Sequence, residues 1–306
     1  MPAAFAVPPV NIGRHRDVGY FRSAAAFAEY LRAYRSGMAR LPPYTSSDIP
    51  TTFGTVRVYR FDGPAGAPVL LLPGRNASTP MYGVNLEPLR NRRTVYCLDL
   101  LGEAGLSVQT RRIAGAEDQA QWLDETLAGL GVHRAHLLGV SIGGWTATNA
   151  AVHRPGRVAS LTLLDAVLTF DRLPVTTVLA SMAMYLPGVP ESLRRRTLRW
   201  ISGGVDLEEA EPVASLIAAG AKNFVLRSAM PRRFTEQQLR SLEVPVLAFI
   251  AGRSVMLNAH RATENARKLL RHSQVELWPT ASHAINGEYP EKIAEVASAF
   301  WDSALG

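Results

Sequence analysis

The chain has 306 residues, 47% of them hydrophobic and 19% charged, enough for one large core and unlike a disordered or fibrous composition. A single cysteine, Cys97, excludes an intramolecular disulfide framework and a cysteine-rich zinc site. The formal charge is +7, yet the arginines are scattered apart from one cluster at LRRRTLRW (193–200), so no nucleic-acid role is expected.

No apolar run approaches the roughly 20 residues that span a bilayer, so no transmembrane segment is expected. The N-terminal stretch MPAAFAVPPVNIGRHRD lacks a basic segment followed by a long apolar one, so no secretory signal is expected either. A cytoplasmic location is the expectation.

Residues 1–50 read as an N-terminal arm with one helix, SAAAFAEYLRAYRSGMAR (23–40), closed by Leu41-Pro42-Pro43. From about residue 50 short apolar runs alternate with amphipathic stretches. The strand-like runs are TVRVYRF (55–61), APVLLLP (67–73), RTVYCLDL (93–100), RAHLLGV (134–140), VASLTLLD (158–165), VPVLAFIA (244–251) and QVELWPT (274–280). Helices are expected between them, among them AEDQAQWLDETLAGLG (116–131) and YPEKIAEVASAFWD (289–302), the latter with Pro290 and Glu291 in its first turn. Such alternation argues for an α/β fold, a mostly parallel sheet with helices on both faces. The core is expected over 51–166 and 236–306. Residues 167–235 carry no strand signal and read as short helices forming a lid, because that length is too great for an idle loop.

LLGVSIGGW (137–145) follows a strand and opens a helix. Its Gly139-Val140-Ser141-Ile142-Gly143 is the G-x-S-x-G pattern of a nucleophile elbow. A strand that turns abruptly into a helix forces its apex residue into a strained conformation. The chain then passes too close for side chains two residues before and two after, so glycine is needed at both places. Ser141 is the candidate nucleophile, and the next N–H, that of Ile142, faces the space before it. A second glycine turn, Pro73-Gly74-Arg75-Asn76, follows an earlier strand and offers Arg75 as the other backbone donor of an oxyanion hole. Of seven histidines, His283 lies after the last strand and before the last helix, at the sheet edge that carries Ser141. His133, His136 and His153 fall at the far end, His260 and His272 bracket a surface helix, and His15 lies in the arm.

With these residues the chain resembles the α/β-hydrolase superfamily, and within it small bacterial serine carboxylesterases. The resemblance runs from about residue 25 onward and rests on LLGVSIGGW, DLLGEAGLS (99–107), FTEQQLRSLEVPVL (234–247) and SHAINGEYP (282–290). Ser282 stands where the family usually has glycine, and Pro73-Gly74 where His-Gly is common. The resemblance implies Ser141 as nucleophile, His283 as base, and Asp99 as a structural turn residue.

It also implies an acid after VPVLAFIA, at the position of Ser254, where no carboxylate stands. Three arrangements are open. Asp165, at the end of the preceding strand, takes the acid's place; or Asp171 reaches back from the lid; or a Ser–His pair works without a carboxylate, helped by Ser254 or Asn258. The expected activity is hydrolysis of a small-molecule carboxylic ester through an acyl-enzyme, with no metal and no organic cofactor. Met182, Met184, Tyr185 and Leu186 are candidates for an apolar acyl pocket. Carbon–carbon bond hydrolysis or acyl transfer on the same residues is the alternative, and a ligand-binding protein with an impaired triad a further one. Acyl length and oligomeric state are not read from the residues.

Overall fold

The computed structural model describes residues 6–185, 189–204 and 212–304. The strands are β1 (Tyr20–Phe21), β2 (Thr45–Thr51), β3 (Gly54–Phe61), β4 (Val69–Leu72), β5 (Val95–Leu98), β6 (Val108–Gln109), β7 (Ala135–Val140), β8 (Val158–Leu164), β9 (Phe224–Val225), β10 (Val246–Ala251) and β11 (Ser273–Trp278). The helices are α1 (Ala24–Met38), α2 (Gly83–Arg90), α3 (Ala116–Gly129), α4 (Ile142–His153), α5 (Val175–Tyr185), α6 (Glu191–Ile201), α7 (Val213–Asn223), α8 (Glu236–Arg240), α9 (Ala259–Leu269), α10 (Ile285–Glu288) and α11 (Pro290–Ser303).

The main sheet runs β11-β10-β8-β7-β4-β5-β3-β2, with β6 paired to β3. From β11 to β5 every neighbour is parallel, while β2 and β3 pair antiparallel at the other end. Every residue of β4, β7, β8 and β10 is buried, as strands covered on both faces require. Side chains alternate between two cores, as the period of a strand dictates. Leu70, Leu72 and Leu137 pack with Trp122, Trp145 and the apolar side of α9. Val69, Leu71 and Leu138 pack on the opposite face with Tyr30, Tyr34, Leu86 and Trp301.

This topology puts the C-terminal ends of β4, β7, β8, β10 and β11 along one edge, where α/β proteins bind ligands. The residues that follow those strands are 73–76, 141, 165, 252–254 and 279–283. Four of the strands above, β1, β2, β6 and β9, were not expected from the sequence. Residues 167–235 hold a two-residue strand, β9, which pairs antiparallel with β1 in the arm. Helix α7 packs on α1, so the arm and the insertion share a layer on one side of the sheet. No described helix is long and apolar enough to cross a membrane.

Candidate functional site

Ser141 sits at the turn between β7 and α4 with φ 55° and ψ −117°, a conformation L-residues seldom adopt. Neighbouring backbone explains why glycines surround it. A Cβ at Gly139 would lie 2.3 Å from the carbonyl carbon of Gly143, and one at Gly143 1.9 Å from the Leu72 oxygen. The turn is held by Ser141 N–H donating to Leu164 O (3.0 Å), and by Gly144 and Trp145 N–H donating to Ser141 O (3.1 and 3.2 Å).

His283 meets Ser141 from the loop after β11: its Nε2 lies 3.0 Å from Ser141 Oγ. On the other side of the ring, His283 Nδ1 lies 2.6 Å from Asp165 Oδ2. The three side chains form one continuous hydrogen-bonded series. Asp165 follows β8 with φ 45°, in the left-handed region that aspartate tolerates better than most residues. Its carboxylate is fully buried, which demands donors. Ala251 N–H donates to Oδ1 (3.1 Å) and Ser254 Oγ–H to Oδ2 (2.6 Å).

Asp171 is engaged elsewhere. Arg261 grips it with Nε to Oδ1 and Nη2 to Oδ2, both at 2.8 Å, and Asn258 N–H adds a third bond at 2.9 Å. Asn258 caps α9, its side chain accepting from Arg261 N–H at 2.9 Å. The other histidines lie apart from Ser141. His136 is buried in β7 and stacks on Trp301, His153 faces Glu117 at the end of α4, and His15 packs on Tyr20. His133, His260 and His272 are exposed.

Ile142 is the first residue of α4, so its N–H is one that the helix leaves without an internal acceptor. Arg75 follows β4, next to β7, and a Cβ at the adjoining Gly74 would lie 3.8 Å from Ser141 Cβ. The two backbone positions therefore flank the serine. The Arg75 guanidinium turns to Glu103, 3.2 Å away. Burial raises the Glu103 carboxyl above its ordinary range, against the lowering effect of Arg75 and of the Asn76 N–H. A cleft opens beside Ile142 and Arg75, walled by Trp145, Leu226 and Met230 together with Glu103, Gln119 and Ser228.

The loop that carries His283 is tied to α6. Ser282 Oγ lies 2.8 Å from the Ser202 carbonyl oxygen and 2.7 Å from Glu288 Oε1, and accepts Ala284 N–H at 3.1 Å. Arg253, beside Ser254, donates to Gly203 O at 3.0 Å. Gly203 has φ +69°, and a Cβ there would lie 2.3 Å from Ser282 Cβ. The serine at 282 and the glycine at 203 thus accommodate one another. Of the proposed acyl-pocket residues, Met182 is 59% exposed. The side chains of Met184 and Tyr185, and all of Leu186, lie outside the described residues.

Asp99, buried below this edge, accepts bonds from Tyr34 OH (2.8 Å), Thr79 N–H and Oγ1–H (both 3.0 Å) and Leu106 N–H (2.8 Å). It braces the loop after β5 and touches none of the three aligned side chains. Two contacts at the site are not legible in the sequence: the donation from Ser254 to Asp165, and the bond between Ser282 and Ser202. Neither has a motif that would have announced it.

Among the curated relatives that match along most of the chain are two carboxylesterases. An uncharacterized carboxylesterase, nap, of Bacillus subtilis is 27% identical over 286 residues, 90% of this chain and 93% of that protein. The carboxylesterase YbfK of the same organism is 25% identical over 295 residues, 93% of this chain and 97% of its own. The crystal structure of naproxen esterase from Bacillus subtilis shares the fold, with a TM-score of 0.83 at 23% identity over 91% of this chain and 99% of that one. The family model described as the alpha/beta hydrolase family matches residues 69–296. With that match over most of its length, and with an elbow serine between β7 of a mostly parallel sheet and α4, the chain belongs to the alpha/beta hydrolase family.

Proposed function

We propose that this protein hydrolyses carboxylic esters through an acyl-enzyme, with Ser141 as nucleophile, His283 as general base and acid, and Asp165 as the acid that orients His283. The observation that carries the reading is the unbroken series from Ser141 Oγ through His283 to Asp165 Oδ2, at 3.0 and 2.6 Å. Asp165 accepts from Nδ1, which keeps the proton there and leaves Nε2 free to take the one on Ser141. Oγ then attacks the ester carbonyl. The N–H groups of Ile142 and Arg75 receive the charge that develops on the oxygen. His283 passes its proton to the departing alcohol, and water attacks the acyl-serine by the same route in reverse.

The nap and YbfK proteins, matched along about nine-tenths of the chain, are named carboxylesterases. That favours ester hydrolysis over the carbon–carbon hydrolysis or acyl transfer that the same residues could perform. In this reading residues 167–235 are a lid. The bonds from Ser282 and Arg253 to the end of α6, and from Thr177 Oγ1 to Val255 O, support it. The substrate is a small ester with an apolar acyl part, which suits the Leu226, Met230 and Trp145 walls of the cleft, and the site of action is the cytoplasm.

The test is labelling with a fluorophosphonate together with turnover of p-nitrophenyl esters of graded chain length. Wild type forms one adduct and turns over, and Ser141→Ala does neither. An adduct or equal turnover in folded Ser141→Ala overturns the assignment.

A further inference from the structure

We propose that Ser254 is a positioning residue for this reaction: its hydroxyl holds the same Asp165 oxygen that His283 uses, and thereby sets the imidazole for proton transfer. The inference rests on the Ser141–His283–Asp165 reading above.

The direction of the bond follows from its neighbours. Ser254 Oγ accepts the N–H of Met256 at 3.1 Å, and an N–H can only donate. The hydroxyl's single proton is therefore available for Asp165 Oδ2, 2.6 Å away, an oxygen that can only accept while it is ionised. A bond of that length to a carboxylate is charge-assisted and of the stronger kind.

The carboxylate is clamped from two loops. Ala251 N–H, at the end of β10, fixes Oδ1 at 3.1 Å. Oδ2 receives both Ser254 at 2.6 Å and His283 Nδ1 at 2.6 Å. With Ser254 in place, the plane of the carboxylate is set before His283 binds to it, and the ring inherits its orientation. Without it, Oδ2 is held by the histidine alone, and a fully buried carboxylate loses one of its donors. The ring can then swing with the carboxylate, and the 3.0 Å approach of Nε2 to Ser141 is no longer fixed from behind.

A purely structural role is the competing account, since the contact with Met256 N–H also closes a small turn. The two differ in what they move. The experiment compares Ser254→Ala and Ser254→Thr with wild type in kcat, KM and the low-field proton resonance of the His283 Nδ1–H. The alanine variant is expected to lose about tenfold to a hundredfold in kcat, the range for a lost bond to a charged group, with KM unchanged and the resonance displaced. The threonine variant, which retains the hydroxyl, is expected to stay within about threefold of wild type with the resonance in place. Wild-type kcat in Ser254→Ala overturns the proposal. So does a loss with the resonance unmoved, or an equal loss in both variants. Ser141→Ala is measured alongside: if it retains turnover, the ester-hydrolase reading itself fails. If it is inactive while Ser254→Ala matches wild type, only the role of Ser254 fails.

Discussion

Asp165 and Asp171 stand six positions apart in the chain and serve different partners: the first is bonded to His283 and the second to Arg261. The backbone turns sharply after β8 at Asp165, so the insertion carries Asp171 away toward α9. Asp165→Asn is expected to lower kcat for p-nitrophenyl acetate by about 10⁴, because the amide oxygen stays with the Ala251 N–H and the NH2 group faces His283 Nδ1, a donor that fixes the wrong imidazole tautomer. Asp171→Asn is expected to keep kcat and lower Tm by a few degrees. Burial works against the ionised Asp171, but the bonds from Arg261 and Asn258 outweigh it, and its pKa lies below the ordinary carboxylate value. A folded-state value depressed in this way gives stability that is complete above the unfolded value of 3.8 and is lost as pH falls through the lower folded one. Melting curves of wild type and Asp171→Asn should therefore converge in that acid range. Parallel curves down to the lowest pH would count against the pair.

The carboxylate can be moved across the gap. Ser254 lies on the loop after β10 with its hydroxyl 2.6 Å from Asp165 Oδ2, so the two positions face one another beside the histidine. Asparagine tolerates the positive φ at position 165. The double variant Asp165→Asn/Ser254→Asp keeps one negative charge at the site. It is expected to regain at least about tenfold of the kcat lost by Asp165→Asn alone, a small part of the about 10⁴ at stake. Measuring both variants on one p-nitrophenyl ester decides it, and no gain in a folded double variant refutes it.

Ser141 is legible in the sequence because the elbow's steric demand is local: glycine at 139 and 143, a strand before and a helix after. His283 is legible from chain order, since a loop after the last parallel strand must lie at the same edge. The choice between Asp165 and Asp171 is not legible, because it depends on where the chain turns after β8 and on Arg261, ninety residues away in sequence from Asp171. β2 escapes detection because Ser46, Ser47, Asp48 and Pro50 are the polar and proline residues of an exposed edge strand, not of an apolar run. Ser254 is legible as the vacant position of the acid, but its donation to Asp165 is not, because a short polar loop does not show which carboxylate it faces.

Ser282 departs from the usual glycine, and Gly203 is what makes room for it. A methyl group at 203 would press on Ser282 Cβ from 2.3 Å and would also sit at φ +69°, a strain of about 1 kcal/mol. Gly203→Ala is expected to push the end of α6 off the His283 loop and lower kcat several-fold. Ser282→Gly added to it removes the obstruction and is expected to restore part of the loss. Steady-state kinetics on the single and double variants measure the coupling. Strict additivity of the two changes would show that the contact is not what links α6 to the histidine.

His136 gives the fold a pH dependence of the opposite sense to that of a histidine whose pKa is raised by an anionic partner. It is buried in β7, one strand-length before Ser141, stacked on Trp301 at 5.3 Å with Nδ1 2.8 Å from Ser160 Oγ. Burial lowers its pKa, Arg93 and Arg134 reinforce the effect, and the folded value falls from 6.5 to about 4. As pH falls below 6.5 the unfolded chain takes up a proton there that the folded chain refuses until about 4. This contribution is therefore complete above 6.5, declines between those values and levels off below them, by on the order of 3 kcal/mol in all. Wild type should lose Tm steeply between pH 7 and pH 4.5, and His136→Gln, less stable at pH 7 but without a proton to take up, should lose less over the same interval. Calorimetric scans at the two pH values compare the slopes, and equal slopes would assign the acid sensitivity to other groups.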